Sequence, residues 1–241
     1  MTIDAKYGIQ VYEGMIARHR PAFKFGFNSA VGTDEETVWS QGGIYSYLSS
    51  ASVLKVSSSN DADTSTITIE GLDGNYDEIS ESVTITGQTA VNTTNSFLRV
   101  NRMFVTADEP TGDIYAGTGT VSSGVPANKY GKIDAGENQT LQSMYSVPRN
   151  HSAYIFNMTN SSGTTAANKF ATARFVLREF GGVFRTQTIT TLHNNFAQYL
   201  LGVPIKIPAK SDIEMRALVS SGSDSISSTY SFVLVKDENA G

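Results

Sequence analysis

The chain has 241 residues, a net charge of −5 and no cysteine. A chain of this length buries roughly 70% of its unfolded surface, so it folds without a disulfide or metal staple. The lack of cysteine excludes a disulfide framework, a thiol nucleophile and cysteine-based zinc sites. The acidic balance disfavours nucleic-acid binding, and no apolar run reaches the ~20 residues of a membrane helix. We therefore expect no nucleic-acid partner, no membrane partner and no secretory signal peptide.

Residues 1–36 differ in pattern from the rest of the chain. The stretch IARHRPAFKF places Arg18, Arg20 and Lys24 around a proline, and an acidic, turn-rich stretch follows it. We predict that residues 1–36 form an N-terminal docking arm whose basic side chains contact an acidic surface. The alternative is an ordinary first strand with an exposed basic edge. Residues 37–241 are then predicted to form a β-sandwich, either as one domain or as two small ones.

After residue 36, β-branched residues alternate with polar ones, which is typical of strands. Trp39 comes just before a Gly-Gly pair and is predicted to be a core anchor at a bend. The next predicted strands are ASVLKVSSS, TITIEGL, ISESVTITG and TNSFLRVNRMFVTA. The Gly- and Thr-rich stretch that follows predicts one short strand near Ile114 and another near Val121.

The second half continues in the same style. Pro148 separates two predicted strands, because proline cannot donate a ladder hydrogen bond. ATARFVLREFGGVFRTQTITTL is predicted to be a hairpin, and the prolines flanking IKI place that strand at an edge or between two sheets. Only NNFAQYLL and NKFATARF have a helix-like pattern, and both are short. Many short strands separated by turns predict an all-β fold, namely a jelly-roll-like antiparallel β-sandwich with an N-terminal arm.

Two segments of the chain have the same pattern. ITIEGLDGNYD and FVLREFGGVFR both read as strand, glycine-containing turn, aromatic residue and strand. This similarity predicts related hairpins in the two halves of the sandwich. Glu70 and Asp77 of the first hairpin align with Arg178 and Arg185 of the second, so the two bends carry opposite charge. We hypothesise that the bends meet between neighbouring subunits; the alternative is two solvated loops.

The first of these bends also has the alternating oxygen-bearing side chains that begin a calcium loop, at Asp73, Asn75 and Asp77. An EF-hand loop requires glycine at its sixth position, glutamate at its twelfth and flanking helices. Counted from Asp73, the sixth position is Glu78, the twelfth is a threonine, and the flanking segments are strands. The pattern favours a polar β-turn in which Gly74 or Asn75 has a positive φ, with calcium at residues 73–78 left open.

Residue patterns for catalysis are missing from the sequence. His19, His151 and His193 each stand alone, without a second ligand at metal spacing. There is no G-x-S-x-G elbow and no phosphate-binding loop, and no two carboxylates stand out as a pair for glycoside hydrolysis. We therefore predict that the protein is not an enzyme and has no catalytic residue, metal ligand or cofactor.

Several longer motifs carry a resemblance to a known family. They are TVWSQGGIYSYLSSASVLKVSSS, GLDGNYDEISESV, NSFLRVNRMFV and REFGGVFRTQ. With these motifs the chain resembles virion structural proteins of tailed phages of the marine and cyanobacterial type, over residues 23–235. The resemblance implies a non-enzymatic structural subunit of the virion, assembled in the host cytoplasm, and it does not give the position on the particle. We hypothesise that the protein is a capsid decoration or a head–tail-associated protein. It also implies homo-oligomers and other capsid, neck or tail proteins as partners.

A second function stays open at this stage. A receptor-binding module of a tail fibre or spike would recognise host surface glycans through aromatic loop tips. Tyr45, Tyr47, Tyr115 and Tyr130 are the candidates for such contacts. A fibre usually includes a collagen-like or heptad stalk, and the sequence has neither, which favours the virion subunit. Its candidate interface residues are the charged ones named above: Arg18, Arg20, Lys24, Glu70, Asp77, Arg178 and Arg185.

Overall fold

The computed structural model describes residues 5–163, 168–193 and 196–237. Nearly all of the regular structure in these ranges is antiparallel β-strand, which confirms the predicted fold class. One helix, α1 (Ala5–Tyr12), precedes the strands. The strands are β1 (His19–Val31), β2 (Glu36–Thr37), β3 (Ser52–Ser58), β4 (Thr66–Leu72), β5 (Glu78–Thr84), β6 (Val91–Phe97), β7 (Arg99–Ala107), β8 (Ile114–Ser122), β9 (Val125–Ile133), β10 (Met144–Ser146), β11 (His151–Ser162), β12 (Ala171–Arg178), β13 (Arg185–Leu192), β14 (Phe196–Ile207), β15 (Asp212–Val219) and β16 (Asp224–Lys236).

The chain divides into two compact units. One unit, here called the split unit, consists of Met1–Ile44 and Ser143–Gly241. The other, here called the inserted unit, is the continuous segment Tyr45–Gln142. The predicted arm, residues 1–36, therefore supplies α1, β1 and the start of β2 to the split unit. Its role in docking stays a prediction.

The split unit contains two sheets. Sheet A has the strand order β1-β16-β11-β14, and sheet B has the order β10-β15-β12-β13, with β2 also paired to β15. The pairs are nested along the chain: β1 with β16, β10 with β15, β11 with β14, and β12 with β13. A long hairpin that is rolled up on itself produces this order, and it is the order expected of a jelly roll.

The two sheets of the split unit share one apolar core. Along β15, the core residues alternate with acidic and basic residues on the opposite face, as the two-residue period of a strand requires. Phe175 on sheet B packs against Tyr230 on sheet A, with ring centroids 5.9 Å apart. Tyr145 and Phe232 form a second such pair at 4.9 Å. Sheets A and B are therefore the two layers of a sandwich.

One edge strand of sheet B is assembled from two distant pieces of chain. Thr37 pairs with Arg216 on β15, and Met144 pairs with Glu214 two positions further along the same strand. Between them, the Val38 N–H donates to Met215 O at 2.8 Å, and the Met215 N–H donates to Ser143 O at 3.0 Å. The chain therefore leaves this edge strand after Val38 and returns to the same position of the strand at Ser143, with the inserted unit in between.

The inserted unit also contains two antiparallel sheets. Their strand orders are β6-β3-β8-β9 and β5-β4-β7. Leu54 and Val56 on β3 and Ile67 and Ile69 on β4 are fully buried, while Val53 is exposed. This agrees with the predicted alternation along ASVLKVSSS. The two strands predicted near Ile114 and Val121 are one continuous strand, β8.

Several local predictions can be compared with these elements. Trp39 is buried and its indole N–H donates to Gly43 O at 3.1 Å, which confirms the core anchor. Pro148 lies between β10 and β11, and the strand with the IKI segment is β14, an edge of sheet A. The helix-like stretches were misleading, since most of their described residues lie in β12 and β14. The helix α1 was not predicted, because its interior glycine lowers the helix propensity.

Candidate interaction surfaces

The β4–β5 turn is stabilised by the side chain of its first residue. Asp73 Oδ1 accepts hydrogen bonds from the backbone N–H groups of Asn75 at 2.8 Å and Asp77 at 2.9 Å. The prediction of a positive φ at Gly74 or Asn75 was wrong, since the residue with the positive φ is Tyr76, at 65°. Packing explains this conformation, because the Tyr76 ring is buried and its hydroxyl accepts a hydrogen bond from Arg99 Nη2 at 3.2 Å.

The two arginines of the second hairpin, β12–β13, form ion pairs with acidic residues of the same chain. Arg178 donates to Asp212 Oδ2 from Nε at 3.0 Å and from Nη2 at 2.6 Å. Arg185 donates to Glu179 Oε1 at 2.5 Å. On the first hairpin, Glu70 lies opposite Arg102 in the β4–β7 register. The intersubunit contact between the two hairpins stays a prediction, and any such contact must compete with these ion pairs.

A buried carboxylate lies beside the second hairpin. Glu214 is fully buried, accepts from Thr37 Oγ1 at 2.7 Å and pairs with Arg216 Nη2 at 2.5 Å. Burial raises the pKa of Glu214, and the neighbouring Arg216 offsets part of that rise. The bond from Thr37 attaches β2 to β15, and the Arg216 pair lies within β15, so the group has a structural role. Within residues 5–163, 168–193 and 196–237, no three histidine or acidic side chains converge on a possible metal position.

The tyrosines considered for glycan binding are not at exposed loop tips, so that expectation was wrong. Tyr45, Tyr115 and Tyr130 are each less than 9% exposed. The Tyr45 hydroxyl donates to Tyr130 O at 3.0 Å, and the Tyr115 hydroxyl donates to Asp113 Oδ2 at 3.1 Å. Tyr47 stacks edge-on against Tyr45, with ring centroids 4.8 Å apart. Their rings fill the interior of the inserted unit instead of forming a platform for a sugar.

Strand β1 has an inverted polarity. Lys24 is only 8% exposed, whereas Phe23 is 60% exposed and Phe27 is 37% exposed. The strand alternates, so Lys24, Gly26 and Asn28 share the inner side, and the three phenylalanines share the outer side. Of the three basic residues predicted for docking, Arg18 and Arg20 are exposed and Lys24 is not.

The outer face of sheet A is the surface that β1 shares with three other strands. Cross-strand registers place its side chains in three rows, running from β1 through β16 and β11 to β14. The first row is Phe23, Ser231, Asn157 and Leu200, the second is Phe25, Thr229, Thr159 and Gln198, and the third is Phe27, Ser227, Ser161 and Phe196. None of these side chains is charged. The face is therefore polar in the middle and apolar along both edges.

A basic pocket lies at one end of this face. Its volume is about 270 Å³, and its lining includes Arg18, His19, Lys206 and Lys236. Lys206 extends the outer-face pattern, because it pairs with Tyr154 of β11, which also lines the pocket. One acidic residue, Asp237, is in the described lining.

The groups of the basic pocket differ in how they are held. The Arg18 guanidinium donates to the Lys236 carbonyl, and the Lys236 N–H donates to Arg18 O at 2.9 Å. His19 Nδ1 lies 2.8 Å from Ala17 O. Asp237 accepts from Ser152 Oγ at 3.3 Å. Within the part of the chain that the structure describes, the ammonium groups of Lys206 and Lys236 have no hydrogen-bond or ion-pair partner.

Exposed apolar side chains concentrate near the edges of sheet A. The helix α1 packs beside β1 and buries Val11, yet α1 and the residues just after it leave three apolar side chains exposed, and so does β14 at the opposite edge. At the first edge these side chains are Ile9 and Tyr12 of α1 and Met15 just after it. At the opposite edge they are Phe196, Leu200 and Val203 of β14. A further exposed pair, Phe180 and Val183, lies at the β12–β13 turn. Among the described residues, no helix is long and apolar enough to cross a membrane.

Comparisons with known proteins gave structural neighbours but no relative in sequence. No protein-family profile and no curated protein matches the chain. A structure of the infectious bursal disease virus Gx strain is 13% identical and covers 92% of this chain and 74% of its own, with a TM-score of 0.29. The VP2 subviral particle of that virus is 12% identical and covers 93% and 74%, with a TM-score of 0.25. At such scores, a shared fold is not established.

Proposed function

We propose that this protein is a non-enzymatic structural subunit of a tailed-phage virion, which docks on the particle and oligomerises there. Two features support the proposal. The sequence motifs of GLDGNYDEISESV, NSFLRVNRMFV and REFGGVFRTQ resemble those of such subunits. The nested strand pairs of the split unit suit a jelly roll, an architecture that viral capsid domains use.

The observation that carries the proposal is the apolar surface near both edges of sheet A. Phe23 and Phe27 on β1 and Phe196 and Leu200 on β14 present large apolar side chains to solvent, and the α1 region adds three more. Groups of large apolar side chains that face solvent often mark a surface that binds a partner. An edge strand also presents unpaired backbone groups on which another chain can pair. Such surfaces suit a subunit that is covered by its neighbours after assembly.

Within the virion, we propose a capsid-decorating or head–tail-associated position, with other capsid, neck or tail proteins as partners. Residues 1–36 take part in docking through α1 and β1, whose exposed side chains are apolar as well as basic. The inserted unit projects no aromatic platform from Tyr45, Tyr115 or Tyr130, so no observation favours the receptor-binding alternative.

The test is to find the protein in the intact particle by cryo-electron microscopy and to count its copies. Hundreds of copies place it on the capsid, and six, twelve or eighteen place it at the neck or tail. Its absence from purified virions would refute the proposal. A variant that lacks residues 1–16 keeps β1 and its pairing with β16, so it should fold but fail to join particles. Normal incorporation of that variant would refute the docking role of the helix.

A further inference from the structure

We propose that the outer face of sheet A docks an acidic segment of another virion protein, with the basic pocket binding its carboxylates and the β1 phenylalanines its apolar side chains. This rests on the proposed virion role and names the docking surface and the chemistry of the partner. The surface consists of the three cross-strand rows and the basic pocket described above.

Charge is the first argument. Among the residues that the structure describes, the pocket lining brings together Arg18, Lys206 and Lys236 with one carboxylate, that of Asp237. The whole chain, in contrast, has a net charge of −5. Two of the cations, Lys206 and Lys236, have no partner among the described residues, so nothing within those residues accounts for their convergence. Complementary charge at such a site attracts and orients an acidic partner.

The mixed character of the face is the second argument, and it selects a protein as the partner. Next to the pocket, the face is uncharged, with Phe23 and Phe27 exposed along one edge and Leu200 along the other. Interface cores are enriched in aromatic residues and depleted of charge, and their charged groups lie at the rim. A segment that combines acidic and apolar side chains matches both parts of the surface. An acidic polysaccharide matches only the pocket.

The pocket is also built by the fold and not by a flexible tail. His19 begins β1, Lys206 lies on β14, and Lys236 ends β16, so three strands of one sheet fix the spacing of the cations. The reciprocal bonds between the Arg18 and Lys236 segments hold the two parts of the chain together. A preformed site loses little conformational entropy when it binds.

The experiment measures binding of two synthetic peptides by fluorescence anisotropy. One peptide alternates glutamate with phenylalanine, and the other alternates glutamate with serine. The triple variant R18E/K206E/K236E should bind both peptides at least about tenfold more weakly than the native protein, and added salt should weaken native binding. F23S should weaken binding of the phenylalanine peptide alone. Lys129→Glu changes a lysine of the inserted unit and serves as the control, with unchanged binding.

Two results would overturn the inference. One is equal peptide binding by the native protein and the triple variant, provided that circular dichroism shows both folded. The other is tighter binding of an acidic oligosaccharide, such as an alginate fragment, than of the phenylalanine peptide. The microscopy distinguishes these failures from failure of the proposed function. A protein present in virions with no peptide binding refutes this inference alone, whereas peptide binding by a protein absent from virions refutes the virion role.

Discussion

The backbone N–H of Ser143 donates a hydrogen bond of 3.1 Å to the carbonyl oxygen of Val38, although 105 residues separate the two in the chain. The Ser143 hydroxyl donates to the same oxygen at 2.8 Å. The two residues therefore occupy one position of a sheet B strand. The chain between them leaves that strand, forms the inserted unit and returns.

The first prediction is that the split unit folds without the inserted unit. Replacing residues 45–142 with a linker of about four glycine and serine residues, which spans up to ~14 Å, should leave the split unit folded. Gly43 O already accepts from the Thr37 N–H at 3.1 Å, so the chain has returned to the strand before the inserted unit starts. Circular dichroism and thermal unfolding should show a cooperative β-protein.

The matched control is the separate expression of residues 45–142. Each unit has its own sheets and buried side chains, so both fragments should fold. A split-unit fragment that shows no cooperative transition would contradict the prediction.

The second prediction concerns Gly26, which lies against the backbones of Val38 and Ser143. A Cβ atom at this position would overlap Val38 O and Ser143 N, and both obstacles are backbone atoms. Gly26→Ala should therefore lower the free energy of unfolding by about 1–3 kcal/mol. At Gly8 of α1, no atom lies within 4 Å of the position that an added methyl group would take, so Gly8→Ala should be neutral or stabilising by up to about 1 kcal/mol. Urea denaturation of the two variants side by side measures the difference, and equal effects would disprove this explanation.

The third prediction concerns pH. The buried carboxylate of Asp63 accepts from Ser58 Oγ at 2.6 Å, from the N–H and hydroxyl of Thr111 at 3.0 and 2.9 Å, and from the Gly112 N–H at 3.0 Å. Burial alone would raise the pKa of Asp63, but these hydrogen bonds outweigh it and the pKa is lowered. A lowered pKa contributes stability that is present above the unfolded value of about 3.9 and is lost as the pH falls through the folded value.

Asp63→Asn should consequently destabilise the inserted unit by about 1–3 kcal/mol at pH 7, because the amide cannot accept all of these bonds. The gap between the native protein and the variant should shrink as the pH falls below about 4. Urea denaturation of the fragment 45–142 at pH 7 and pH 3 measures both values. A gap that stays constant with pH would show that the charge of Asp63 contributes nothing.

The fourth prediction compares the two arginines of the second hairpin. Asp212, the partner of Arg178, has a side chain that is 3% exposed, whereas Arg185 and Glu179 are 60% and 50% exposed. Arg178→Ala removes both guanidinium hydrogen bonds and the positive charge from the buried carboxylate of Asp212, which keeps the hydrogen bond from Ser146 Oγ, and should lower the free energy of unfolding by about 3 kcal/mol. Arg185→Ala removes a solvated ion pair and should change it by less than about 1 kcal/mol. Thermal unfolding of the two variants provides the comparison, and a larger effect for Arg185→Ala would contradict it.

The alternation of apolar and polar residues predicts the all-β fold, because each strand buries one face. This succeeded where strands had a clear inner side, as with Leu54 and Val56 on β3. On β1, alternation alone would favour buried phenylalanines, whereas Phe23 and Phe27 are exposed. The orientation is decided by Gly26, since the backbones of Val38 and Ser143 leave no room for an inward side chain there. That constraint comes from residues distant in sequence, so no local pattern contains it.

The candidate site was predictable only in part. The cluster of Arg18 and Arg20 was visible in the sequence, and both are exposed. Lys206 and Lys236 join Arg18 only because β14 and β16 end at the same side of sheet A as β1 begins. The ion pair of Arg178 was likewise invisible, because its partner Asp212 belongs to another strand.

The pairing of β1 with β16 sets an order in which the protein can form. The contacting residues Arg18 and Lys236 are 218 positions apart, so sheet A cannot be completed until β16 has left the ribosome. At about 5–20 residues per second, that interval is roughly 11–44 s. The inserted unit is continuous and is synthesised entirely before β10, so it can acquire its structure during translation. Until β16 arrives, the backbone groups along one edge of β1 lack their pairing partner, and an unpaired strand edge of this kind is prone to aggregation.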